Sequence, residues 1–91
     1  MSDTVWRIEF APAAQKSIAR LGAPARQRII RFLEDRVAVS SAPERLAKKL
    51  EGPLSGLWRY RVGDYRIIVR IHKDRIVVVV LDVAHRSSVY R

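Results

Sequence analysis

Apolar and polar residues alternate through Trp6, Arg7, Ile8, Glu9 and Phe10. That is the period of a half-buried strand, so the chain is expected to open with β structure. The period then changes. Pro12 suits the first turn of a helix, and Ala14, Ile18 and Leu21 recur at i, i+4 and i+7 on one helical face. Gly22 is placed to close that helix and Pro24 to open another, which predicts a helical hairpin. In PARQRIIRFLEDRVAV, beginning at Pro24, an apolar stripe of Ile29, Ile30, Leu33 and Val37 faces the core. Arg26, Arg28, Arg31 and Glu34 take the rest of the cylinder, with Arg31 and Asp35 spaced for an i,i+4 contact. These arginines read most simply as a solvated helix face. Ser41 and Glu44 have capping-box spacing, and Leu46 and Leu50 are a helical i,i+4 pair. They predict a short third helix, stopped by Gly52-Pro53, with Lys48 and Lys49 near the negative end of its dipole.

From Leu57 the period becomes two. Strands are expected at roughly 57–62, 65–72 and 75–83, separated by the turn residues Gly63-Asp64 and Lys73-Asp74. Helices followed by a run of strands argue an α+β fold: an N-terminal strand, a helical hairpin, a short third helix and a three-stranded antiparallel meander. The helices would pack on one face of a mainly antiparallel sheet. The length, 91 residues, fits one domain over 1–91.

A two-residue loop at Gly63-Asp64 fixes a register. Val62 falls opposite Tyr65, Arg61 opposite Arg66, Tyr60 opposite Ile67, Arg59 opposite Ile68 and Trp58 opposite Val69. Trp58, Tyr60, Val62, Tyr65, Ile67 and Val69 then form an apolar face for the helices. Arg59, Arg61, Arg66 and Arg70 share the other face with Ile68 and His72. Like charges directly across a sheet are destabilising, by roughly 1 kcal/mol in water. Guanidinium groups so placed suit bidentate capture of phosphate oxygens. The competing expectation is that the pair splays into solvent or is neutralised by Asp64 or Asp82.

Charge adds to this picture. Eighteen Lys and Arg stand against nine Asp and Glu, a net charge of +9. A field of this sign attracts polyanions, nucleic acid first, with an anionic membrane or an acidic protein as alternatives. No cysteine is present, the first ten residues lack the apolar core of a signal peptide, and the longest apolar run, from Ile76, is too short to span a bilayer. A cytoplasmic protein that needs no membrane is the expectation. The two histidines have neither the spacing nor the partners of a metal site, so no metal and no cofactor are expected.

Taken together, the W-x-I-x-F strand, the stretch holding Lys16, Ile18 and Leu21, KKLEG before a strand, GDYRI at Gly63–Ile67 and HR-x-x-VY at His85–Tyr90 resemble the RelE/ParE superfamily of type II toxin–antitoxin toxins. The resemblance covers nearly the whole chain. GDYRI and HR-x-x-VY resemble most the RelE-like branch, whose members cut messenger RNA in the ribosomal A site. The ParE-like branch instead poisons DNA gyrase.

The resemblance implies an endoribonuclease. A ribose 2′-hydroxyl would attack the adjacent phosphate, giving a 2′,3′-cyclic phosphate and a 5′-hydroxyl. It also implies an antitoxin of RelB type as partner, together with the ribosome and messenger RNA. By the same resemblance Arg66 contacts the scissile phosphate, Arg86 stabilises the transition state or leaving group, and Tyr90 orients the substrate or stacks on a base. Arg59 and Arg61 match basic positions on the preceding strand, and Arg70, Lys48 and Lys49 add RNA-binding charge. Leu57 and Arg59 stand where the best-known members carry lysines, one of them a suggested general base. A guanidinium stays protonated, so His85, whose solution pKa suits proton exchange, is the expected base or acid. The alternatives are a gyrase inhibitor and a non-catalytic RNA- or partner-binding module of the same fold.

Overall fold

The computed structural model describes residues 5–85. β1 (Arg7–Phe10) leads into α1 (Pro12–Ala19) and α2 (Ala23–Phe32), which continues as a π turn at Leu33–Val37. A 3-10 turn (Pro43–Leu46), the two-residue strand β2 (Lys48–Lys49) and a second 3-10 turn (Gly52–Leu54) follow. The chain then forms β3 (Trp58–Val62), β4 (Tyr65–His72) and β5 (Val77–His85). One five-stranded sheet results, in the order β1-β5-β4-β3-β2. β1 runs parallel to β5, and the other pairs are antiparallel. The α+β architecture with helices on a mainly antiparallel sheet is therefore as expected.

The core lies between the helices and one sheet face. Ala14 and Ile18 of α1, Ile29 of α2, and Leu33 and Val37 of the π turn pack with Tyr60, Ile67, Val69, Val78 and Val80. The Ile, Leu and Val side chains among them contribute about 1.5–3 kcal/mol each when fully buried. The hairpin turn at Gly63-Asp64 explains why that face is so regular. Gly63 has φ +57°, and Asp64 has no positive φ, the type II′ pattern that matches strand twist. The β3–β4 register is the expected one at all five positions.

Four local expectations are corrected. Gly22 does not close α1 in a left-handed conformation; at φ −64° and ψ 156° it is the extended residue that opens α2. Arg31 and Asp35 form no ion pair among the described residues. Their spacing straddles the start of the π turn, where Ala38 N–H reaches back five residues to the Leu33 carbonyl. The last strand begins at Val77 and runs to His85, because residues 73–76 form a four-residue turn. Finally, the third helix is replaced by the 3-10 turn and β2. A helix so short is poorly nucleated. Lys48 and Lys49 instead satisfy their backbone groups on the edge of β3, opposite Arg59 and Trp58. Glu44 does not act as a capping residue there. It pairs with Lys73 of the β4–β5 turn at 2.8 Å, and this hydrogen bond holds its carboxyl below the usual carboxylate range.

Candidate phosphate-binding face

β3 and β4 present two opposite surfaces. Tyr60, Ile67 and Val69 are fully buried beneath the helices, and Trp58 and Tyr65 pack against the same core. Alternation sends Arg59, Arg61, Arg66 and Arg70 to the other side. Arg61 stands directly across from Arg66, and Arg59 across from Ile68. Directly opposed Cα atoms lie about 4.5–5.5 Å apart, and diagonal neighbours such as Arg59 and Arg66 about 7–8 Å. The sheet thus gathers Arg59, Arg61 and Arg66 into one cluster. Arg70 continues the same face farther from the hairpin and is exposed.

Arg59 and Arg66 carry a further feature. The Nε atom of each is buried, and neither has a hydrogen-bond partner among the described residues. Ile68, between them on this face, is only 6% exposed, a burial that arginine stems can supply while their heads stay polar. Leaving a buried donor unsatisfied costs about 1–3 kcal/mol, and more for a charged group. Among the described residues the ion pairs are Arg7 with Glu9 and Lys73 with Glu44, and neither involves these arginines. Asp82 accepts hydrogen bonds from the Ser17 hydroxyl of α1 at 3.0 Å and from Val83 N–H at 2.9 Å.

The other expected residues divide. Lys48, opposite Arg59, joins the arginine face, whereas Lys49, opposite Trp58, projects from the other. His85 does not join it. Its register partner is Tyr65, and the two rings meet edge to face with centroids 5.1 Å apart on the side that packs toward the helices. The reason is a bulge: Ile68 pairs with Asp82 but Val69 with Val80, so Leu81 is unpaired and the alternation of β5 shifts by one. Arg86 and Tyr90 lie outside the described residues.

A second basic feature takes its shape only in the fold. Arg28, Arg31 and Arg36, beside α2 and the π turn, line a groove of about 680 Å³ together with Arg61. Helical spacing places Arg28 and Arg31 on a solvated face and says nothing of a groove. The signal lay in the Gly63 turn, but its packing against α2 is a tertiary fact.

A family model described as the ParE toxin of type II toxin–antitoxin systems, parDE, matches residues 8–90. The chain is 29% identical to Toxin RelG of Mycobacterium tuberculosis over 86 residues, covering 94% of this chain and 97% of that one. It is 41% identical to Toxin RelE of the same organism over 49 residues, about half of each protein. Its structure resembles the toxin–antitoxin complex RelBE2 of M. tuberculosis, with a TM-score of 0.85 and 25% identity over 96% of this chain and 98% of the other. It also resembles the archaeal RelE–RelB complex of Pyrococcus horikoshii, with a TM-score of 0.73 and 27% identity over 93% and 99% of the two chains. A match over nearly the full length, on a fold whose basic face had already emerged from the strand register, places the chain in the RelE/ParE toxin superfamily of type II toxin–antitoxin systems.

Proposed function

We propose that this toxin is a ribosome-dependent endoribonuclease that cleaves messenger RNA in the A site and so inhibits translation. The observation that carries the proposal is the pair of buried, unpartnered Nε–H donors of Arg59 and Arg66 on one sheet face. An RNA phosphate would satisfy both once the two guanidinium groups turn outward to meet it, in an environment where charge-assisted hydrogen bonds are strong. The 2′-hydroxyl then attacks the adjacent phosphorus as its proton leaves. The P–O5′ bond breaks, the 5′-oxygen takes up a proton, and a 2′,3′-cyclic phosphate remains. Arg59 and Arg66 hold the phosphate in line and stabilise the added negative charge, with Arg61 and Lys48 adding positive potential. Arg86 and Tyr90 keep the roles that the resemblance implies: charge stabilisation at the leaving group, and stacking or orientation of the substrate.

His85 is the smaller contributor in this scheme, because the bulge in β5 puts its ring on Tyr65 rather than beside the arginines. The antitoxin is of RelB type, as in the neighbouring complexes. An amphipathic acidic segment suits the groove of about 570 Å³ between α1 and α2, whose Phe10, Ile18, Ala19 and Ile30 are apolar and whose Arg26 is basic.

The test is a translation reaction with and without ribosomes, in which new RNA 5′ ends are mapped and 3′ ends are probed for the cyclic phosphate. Cleavage that needs ribosomes, falls at least about a hundredfold in Arg66→Ala and falls less in His85→Gln, supports the proposal. Intact transcripts with folded protein overturn it. The ParE name of the matching family model favours one second reading, inhibition of DNA gyrase. Loss of supercoiling by purified gyrase, with messenger uncut, would select that reading.

A further inference from the structure

β2 pairs only with Trp58 and Arg59, so the outer edge of β3 from Tyr60 to Val62 carries no strand. α2 and the π turn lie along that edge, and between them runs the second basic groove. Four arginines line it: Arg28, Arg31, Arg36 and Arg61. Asp35 is the one carboxylate of the lining, so the groove carries a net +3 by that inventory. Phe32 forms an apolar wall and is itself held by an edge contact with Tyr60, centroids 5.5 Å apart. Arg28 is docked over the hairpin turn: a Cβ on Gly63 would come within 2.7 Å of its Nη1. The groove is therefore a shaped basic channel rather than a scatter of solvated side chains.

Arg61 belongs to both places. It lines this groove and also stands across from Arg66 on the phosphate-binding face. A chain of phosphates crossing Arg66 can pass Arg61, turn over the unpaired edge of β3 and enter the groove without leaving positive potential. We propose that the groove between α2 and the β3–β4 hairpin is a second RNA subsite. It holds, without regard to sequence, the backbone of the strand that continues from the phosphate at Arg66. This deepens the ribonuclease reading and rests on it. An RNA backbone fits better than an acidic peptide, because the cationic positions continue from one face to the other and arginine forks match phosphate oxygens.

The probe is a fluorescein-labelled oligouridylate, titrated into the full chain over a range of salt. The variant is Arg31→Gln with Arg36→Gln. The control is Arg20→Gln with Arg75→Gln, an equal loss of charge at two exposed positions away from the groove. Each phosphate contact on a single strand contributes about 0.7 to the slope of log affinity on log salt, so the groove variant should lose about 1.4 from it. The control should lose none. Equal slopes for groove variant and wild type, with both melting alike, overturn the subsite. So does a groove variant that loses affinity for a poly-glutamate peptide but keeps its RNA slope. Failure of the ribonuclease reading would look different: the slope would fall as stated while ribosome-programmed messenger stayed uncut by the wild type.

Discussion

Ile76 is the one described non-glycine residue with positive φ, at 54°. A β-branched side chain is costly there, by about 1–2 kcal/mol. The conformation persists because the four-residue turn needs it and because the Ile76 carbonyl accepts the Arg7 N–H bond, 3.0 Å, that starts β1 along β5. The side chain itself is 40% exposed and returns little burial. Ile76→Gly should therefore stabilise the protein by about 0.5–1 kcal/mol, net of the flexibility glycine adds to the unfolded chain. Thermal denaturation would show a melting temperature higher by roughly 2–8 °C. A lower one would mean that the isoleucine contacts outweigh the strain. The unsatisfied Nε atoms of Arg59 and Arg66 are a cost of another kind, since a ligand can remove it.

At the scale of elements, Tyr60 ties the irregular segment before β2 to the sheet. Its ring is fully buried, and its hydroxyl donates to the Pro43 carbonyl at 2.8 Å. Tyr60→Phe leaves that carbonyl without its partner and should cost about 1–2 kcal/mol in denaturant unfolding. Burial pushes the Tyr60 hydroxyl well above its ordinary range, with the charge of Glu44 adding to the effect. The folded state thus holds this proton more tightly than the unfolded chain. Its contribution is complete below about pH 10 and is lost progressively as pH rises above that value. The phenylalanine variant should lack this alkaline loss; an unchanged profile would assign it elsewhere. The same segment marks the limit of what local pattern reveals. The β3–β4 hairpin was legible, since Gly63-Asp64 and strict alternation leave one register that buries the apolar set. The segment 41–50 was not. Its capping-box spacing is real, but an open strand edge and a lysine on a distant turn offered its backbone and Glu44 better partners. The bulge at Leu81, which moves His85 to the far face, leaves no mark in an unbroken apolar run.

On the scale of the whole molecule, a five-stranded sheet separates two tasks. One face is filled by helices and holds the fold together. The other, with the groove at the edge of β3, carries positive charge that the ion pairs among the described residues do not neutralise. A net charge of +9 gives the whole molecule a field that attracts polyanions. No helix among the described residues is long and apolar enough to cross a membrane. The family likeness was readable from GDYRI and HR-x-x-VY, whereas the division of arginines between face and groove required the fold. The most direct test follows the arginine side chains themselves. Nitrogen-15 NMR can resolve the Nε–H signals during titration with an RNA whose cleavage-site 2′-hydroxyl is replaced by hydrogen. Downfield shifts of the Arg59 and Arg66 protons, together and ahead of those of Arg20, are expected. RNA that binds while both signals stay where they were would contradict the phosphate seat.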